Sequence, residues 1–177
     1  LGQVTICRVT LPHPGVRFSR PPEHNFIDKH VWNKLEQLGI PPSDLAEDGV
    51  FLRRVYLDTI GTLPTVSESR TFLASTDPGK RAKLIDHLLN RPEYADYWAM
   101  KWSDLLRIKA EFPINLWPHA AQAYHRWVRT SIQRNLPYDR FVRELLTANG
   151  SNFLVPQVNF SRATQSKDPQ TIARMWP

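Results

Sequence analysis

Cysteine is almost absent from this 177-residue sequence, in which Cys7 is the single example. One thiol excludes an intrachain disulfide, a cysteine-rich metal site and the Cys-x-x-Cys-His motif that attaches a c-type haem. Glycine is also scarce, with 7 residues, and the sequence has neither a glycine-rich phosphate loop nor the Gly-x-Ser-x-Gly turn of a serine hydrolase. The sequence therefore contains no complete motif for a cofactor or a nucleophile.

Long apolar runs are missing too. No segment approaches the roughly 20 apolar residues that are needed to cross a bilayer, and no basic stretch followed by an apolar core predicts a signal peptide. The sequence starts at Leu1 and not at methionine, and it stops at Pro177. We interpret the chain as a processed protein or as a fragment of a longer one.

The net charge of +6 comes from 23 basic and 17 acidic side chains that are dispersed along the chain. Dispersed charges are typical of ordinary solvated helix faces, whereas nucleic-acid-binding proteins concentrate them on one face. We therefore do not expect nucleic acid to be the partner.

Residues 1–24 differ in composition from the rest of the chain. Residues 3–11 alternate loosely between polar and apolar side chains, which predicts a short β-strand. Four prolines follow between residues 12 and 22, and proline at this density favours an extended connector. We interpret residues 1–24 as the end of an upstream, Ig-like β domain with its linker.

From residue 25 onward the apolar period is that of helices. The spacing predicts about seven helices over residues 25–160, joined by short Pro/Gly breaks, and therefore a mainly α fold, an irregular helical bundle. Asn25 and Gly39 predict the ends of the first helix, and Thr65 with Glu68 forms a capping box for the third. Beyond Gly150 the sequence is polar, and residues 161–177 are expected to form an irregular tail.

The first candidate constellation is the corner between the second and third helices. Arg54 and Asp58 are four residues apart and could pair on one helix face. Gly61 and Pro64 then break the helix. The prediction is a structural corner, with a ligand site there as the alternative.

The second candidate constellation combines tryptophans with ionisable groups on the fifth and sixth helices. Aromatic faces beside such polar groups are suited to stacking and hydrogen bonding with a carbohydrate or another planar ligand. The alternative is a tryptophan-rich core. The candidate binding residues are Trp98, Trp102, Asp104, Arg107, His125, Arg126 and Trp127, with Phe112 and Trp117 of the preceding loop on the same predicted face.

Four sequence blocks, in this order, resemble a domain that is abundant in planctomycetes. They are NFID with LGIPPS (25–28 and 38–43), FLRRVYLDTIGTLPT (51–65), YADYW with KW (94–98 and 101–102) and PYDRFVRELLT (137–147). The family is a domain of unknown function in large secreted or surface proteins, beside cytochrome c-like modules and bacterial Ig-like domains. The resemblance implies an extracytoplasmic setting at the cell surface or in the periplasm, and it brings no catalytic residues.

These observations lead us to expect a non-enzymatic helical module that docks against other domains of the same protein or complex and for which a polysaccharide is a candidate ligand. No metal or cofactor is expected within the chain, and a haem would belong to a neighbouring module. The alternative is part of a redox or hydrolytic enzyme whose site is completed by residues outside this chain.

Overall fold

The structure is a computed structural model that describes residues 9–12, 14–15, 17–111, 114–164, 168 and 170. It is mainly helical over these residues, as the sequence predicts. The helices are α1 (Phe26–Leu38), α2 (Asp48–Ile60), α3 (Val66–Ala74), α4 (Lys80–Leu89), α5 (Pro92–Leu105), α6 (Pro118–Gln133), α7 (Tyr138–Thr147) and α8 (Asn159–Ala163), with a 3₁₀ turn at Pro156–Val158 before α8.

The predicted N-terminal strand is not supported. Residues 3–8 of it, with Cys7, lie outside the described residues, and residues 9–11 are irregular. The chain divides into two compact units, residues 1–47 and 48–177. The predicted domain limits at residues 24 and 160 stay predictions.

In the first unit, α1 has both of the ends that the sequence predicts. The Asn25 side chain accepts hydrogen bonds from the backbone N–H groups of Ile27 and Asp28, and the Asp28 carboxylate accepts from Asn25 N–H in return. At the other end Gly39 has φ 66° and closes a Schellman motif, in which Ile40 N–H donates to Leu35 O. α1 is therefore well specified locally, although it buries none of its 13 residues.

In the second unit, α2, α3 and α4 enclose one apolar cluster. Its buried members are Leu52, Tyr56, Ile60, Phe72 and Leu88. Asp48 at the start of α2 forms ion pairs with Lys80 (2.6 Å) and Arg81 (2.8 Å) of α4. The cluster and the ion pairs together fix α4 against α2.

A second apolar cluster lies among α5, α6, α7 and α8. Its buried members are Ala99, Leu106, Ile114, Leu116, Tyr124, Val128, Phe141, Leu145, Phe160 and Ala163. The most extensive helix contact in the unit is the one between α5 and α6, and the sequence did not predict the contribution of α8.

Four buried alanines lie on α5 and α6: Ala95 and Ala99 on the first, Ala120 and Ala123 on the second. We call them the alanine seam. Small side chains at a helix contact let the two axes approach closely. The four alanines are therefore among the small buried side chains of the two helices that contact each other most extensively.

Candidate functional site

One face of α5 carries three aromatic side chains, Tyr94, Trp98 and Trp102. They are spaced four residues apart, so they lie on the same face of the helix, and all three are half-buried. The Trp98 indole Nε1–H donates to Thr59 O at 3.1 Å, which fixes this ring against the end of α2. These rings form one wall of a cleft.

The opposite side of the cleft comes from the start of α7. The Trp102 ring packs edge-on against Phe141, with ring centroids 5.4 Å apart, and lies 6.3 Å from Tyr138. Phe141 is buried in the core, whereas Tyr138 is 60% exposed. Tyr138 therefore stands at the edge of the cleft, where a ligand could reach it.

The end of α6 supplies the rim between these two walls. Asn135 has φ 48° and occupies the left-handed position of a Schellman motif, in which Asn135 N–H donates to Ile132 O and Leu136 N–H to Ser131 O. Asparagine tolerates this conformation better than most residues do. The motif turns the chain from α6 into α7 and leaves the Asn135 side chain exposed.

The resulting cavity, which we call the aromatic cleft, has a volume of about 170 Å³. Its lining residues are Tyr94, Trp98, Trp102, Ser131, Ile132, Asn135, Leu136, Tyr138 and Phe141. Five of the nine are aromatic, and none carries a charge at neutral pH. Hydroxyl, amide and indole N–H groups are the polar functions that this lining offers.

The structure brings together only part of the predicted binding set. Trp98 and Trp102 line the cleft. Trp127 lies behind it, stacked on Phe141 with ring centroids 4.8 Å apart and an interplanar angle of 16°, which corresponds to the tryptophan-core alternative. Trp117 is 67% exposed and does not line the cleft.

The ionisable residues of the predicted set do not line the cleft. Asp104 and Arg126 are exposed. Asp104 follows the cleft residue Trp102 by two positions, and Arg126 follows the core residue Tyr124 by two. Two positions correspond to about 200° around a helix axis, so both side chains lie on the far side of their helices. His125 is half-buried. Arg107 has φ 56° and ends α5 in a third Schellman motif, with Ile108 N–H donating to Ser103 O.

Residues that the sequence analysis did not include complete the site, above all Asn135, Tyr138 and Phe141. They are distant from Trp98 and Trp102 in sequence, and their approach depends on how α7 packs beside α5. A local signal did exist, since Asn135 and Pro137 mark a turn that is followed at once by an aromatic residue. Phe112 lies outside the described residues.

Between α2 and α3 the chain turns at residues 61–65, and the Tyr97 ring lies against this corner. Arg54 and Asp58 are both exposed, and no ion pair joins them in the described part of the chain. Gly61 has φ +70°, and the Tyr97 ring lies against it so closely that a Cβ on Gly61 would lie 2.5 Å from Tyr97 Cε2. Pro64 is half-buried beside the following cap.

Glu68 connects three helices of the second unit. Its Oε2 accepts from Thr65 N–H and from the Thr65 hydroxyl, both at 2.7 Å, and its Oε1 accepts from Arg91 at 2.7 Å. These bonds, led by the Thr65 backbone bond, hold the pKa of the Glu68 carboxyl below its usual range. Burial, together with Glu68, raises the pKa of the Tyr56 hydroxyl. The predicted capping box of α3 is confirmed.

A separate hollow, of about 390 Å³, lies on the α3–α4 side and is bordered by charged residues. Lys83 pairs with Asp77 at 2.5 Å, and Lys80 pairs with Asp48 of α2. The hydrogen bond from Lys83 is the main reason why the pKa of the Asp77 carboxyl lies below its usual value. These charged side chains form ion pairs with one another, so we assign them a structural role in stabilising the second unit.

Two further properties concern the described residues as a whole. Nowhere among them do three or more His, Cys, Asp or Glu side chains form a group that could hold a metal ion. Within the same part of the chain, no helix combines the length and the apolar character that crossing a lipid bilayer requires.

Comparison with known proteins identifies a family. The sequence model of a family described as PSCyt2, a protein of unknown function (DUF1549), matches residues 26–175. No curated protein and no solved structure matches the chain.

Proposed function

Because the chain belongs to the PSCyt2 family of unknown function (DUF1549), we propose that its helical domain is a non-enzymatic binding module of a larger extracytoplasmic protein. The aromatic cleft is its binding site, and a neutral sugar unit of a glycan is its ligand. The extracytoplasmic setting rests on the resemblance of the sequence blocks to surface proteins of planctomycetes.

The observation that carries this proposal is the uncharged, aromatic lining of the cleft. Ligand sites are mostly apolar concave surfaces with a few polar groups that fix orientation. The C–H face of a sugar ring can lie on Trp102 or Tyr138, while its hydroxyls need partners that donate and accept. The Asn135 amide and the tyrosine hydroxyls supply both functions.

A charged ligand is disfavoured in the same cleft. A carboxylate or phosphate that left water would need an opposite charge as partner, and none of the nine lining residues provides one. The cleft also has no carboxylate or imidazole that could act as a general acid or base. The lining therefore suits binding without a chemical step.

The test is a titration of the chain with neutral sugars built from glucose, galactose, mannose and N-acetylglucosamine, followed by calorimetry and by the indole N–H resonances. Tyr138→Ala should weaken binding about tenfold, because it removes one stacking surface of the cleft. Tyr138 is mostly exposed, so the variant should fold normally.

Trp117→Ala is the matched control, since this aromatic residue is exposed but lies outside the cleft. It should bind as the parent chain does. An equal loss of affinity in both variants would contradict the assignment of the cleft. A turnover that depended on Asp104 or His125 would support the rival role, an enzyme completed by other parts of the protein.

Docking to other domains is a second role, and α1 favours it. The apolar face of α1 includes Ile27 and Val31, which are 56% and 42% exposed. Both ends of the helix are capped, so α1 is well formed while this face is open. An amphipathic helix with an open apolar face is a common means of binding a groove on a partner. We propose that this face binds another domain of the same protein.

Hydrogen exchange tests the docking role. The α1 amides should exchange more slowly in the full-length protein than in this chain, because docking removes them from solvent. The amides of α7, which is outside the proposed contact, serve as the internal control. Equal exchange of α1 in both proteins would overturn the role.

A further inference from the structure

We propose that the aromatic cleft is one end of a longer groove and that its ligand is an oligosaccharide of at least two neutral units. The inference rests on the proposed function of the cleft and adds the length of the ligand to it. The groove lies along the contact between α5 and the end of α6.

A second hollow, of about 410 Å³, adjoins the cleft. Its lining residues are Leu89, Asn90, Arg91, Pro92, Tyr94, Ala95, Ile132, Gln133 and Asn135. Tyr94, Ile132 and Asn135 line both cavities, so the two lie side by side along these three residues. We call the second cavity the amide hollow.

The sizes of the cavities indicate how a ligand would divide between them. Sites for drug-sized ligands have volumes of roughly 300–1,000 Å³. The cleft, at about 170 Å³, is below this range and has room for a single ring. The amide hollow is within the range, so it can hold the following units of a chain.

Three side-chain amides give the amide hollow its chemistry. Asn90 uses its NH₂ group to donate to Asp86 O, and Gln133 uses its carbonyl to accept from Arg129. The Asn90 carbonyl and the Gln133 NH₂ group are thus left for a ligand, and the Asn135 amide makes no hydrogen bond within the described part of the chain. Acceptors and donors side by side match the hydroxyl groups of a sugar.

The one charged residue of the amide hollow is neutralised by its neighbours. Arg91 forms ion pairs with Glu68 at 2.7 Å and with Glu93 at 2.5 Å. An arginine that already binds two carboxylates has little attraction left for an acidic sugar. The whole groove therefore favours neutral units, as the cleft does.

Asn135 is the side chain that both cavities share at the rim, and its backbone makes it a clean probe. Since φ is 48°, Asn135→Gly removes the amide without placing a Cβ in the left-handed region. Asn115→Gly is the matched control, because Asn115 is also exposed, has φ 54° and lies outside both cavities. Gln133→Ala changes the amide hollow alone.

The experiment measures the affinity of the whole chain for neutral sugars of one to five units from the four series named above. We expect affinity to rise at least about tenfold from one unit to three and then to level off. Gln133→Ala should remove most of this gain while single sugars bind as before. Asn135→Gly should weaken every length, and Asn115→Gly should weaken none.

The outcomes separate this inference from the function on which it rests. Affinity that does not depend on length, in a chain where Tyr138→Ala still weakens binding, would overturn the longer groove and leave the cleft in place. An unchanged gain with length in Gln133→Ala would also overturn it. If no sugar of any length binds at millimolar concentration, both the longer groove and the proposed function of the cleft are wrong.

Discussion

Replacing Gly61 with alanine should destabilise the second unit by about 2–5 kcal/mol, and two separate effects contribute. The first is the backbone, since Gly61 has φ +70°. A Cβ in the left-handed region raises the energy by roughly 1–2 kcal/mol. This part depends on Gly61 alone.

The second effect is a collision with the Tyr97 ring, which lies against Gly61. The ring cannot move freely, because it packs edge-on to Trp98 with centroids 5.8 Å apart and Lys101 Nζ lies 4.8 Å from its centre. Overpacking of this kind destabilises by about 1–3 kcal/mol. The two effects together give the stated range.

Urea unfolding followed by circular dichroism measures the free energy of unfolding, and a double-mutant cycle separates the two effects. Tyr97→Ala removes the ring. In that background, Gly61→Ala should therefore lower the free energy of unfolding only by the backbone contribution. The coupling free energy between the two positions should therefore be about 1–3 kcal/mol.

Gly49→Ala is the control with the opposite sign. Gly49 lies in α2, and a Cβ there would meet no atom within 4 Å, so the substitution should stabilise by about 0.5–1 kcal/mol. The reasoning about the corner would be refuted if Gly61→Ala unfolded within about 0.5 kcal/mol of the parent chain. It would also be refuted if Tyr97→Ala left the effect of Gly61→Ala unchanged.

Two further predictions concern polar groups that are partly or fully buried. Glu68→Gln should lower the free energy of unfolding by about 1–2 kcal/mol at pH 7. It should also make this free energy less dependent on pH, because the lowered pKa of Glu68 gives stability that is present above the unfolded-state pKa and is lost as the pH falls through the folded-state pKa. Equal slopes of stability against pH in acid unfolding of the parent chain and the variant would argue against this. Tyr124→Phe should leave stability unchanged or raise it by up to about 1–2 kcal/mol, since the fully buried hydroxyl finds no partner in the described part of the chain, and a loss above about 1 kcal/mol in urea unfolding would refute this.

Local features of the fold could be predicted from the sequence. The Asn25 cap, the Gly39 stop and the Thr65–Glu68 capping box depend on residues within a few positions of each other. α8 could not be predicted, since only the packing of Phe160 and Ala163 in the core makes this five-residue helix stable.

The candidate site was predicted in part for the same reason. Trp98 and Trp102 share a helix face, which periodicity reveals, whereas Asn135 and Tyr138 reach them only through the packing of α6 and α7 on α5. The expected ionisable partners, such as Asp104, are close to Trp102 in sequence but point elsewhere. Nearness along a helix is not nearness in space unless the spacing is three or four residues.

The alanine seam has a consequence for the energetics of binding. Alanine has no rotamers to choose from, and Trp98, which precedes Ala99 in the sequence, is fixed by its hydrogen bond to Thr59 O. A surface that is already ordered loses little conformational entropy when a ligand arrives. Association with the cleft should therefore be limited by diffusional encounter and not by rearrangement of the protein.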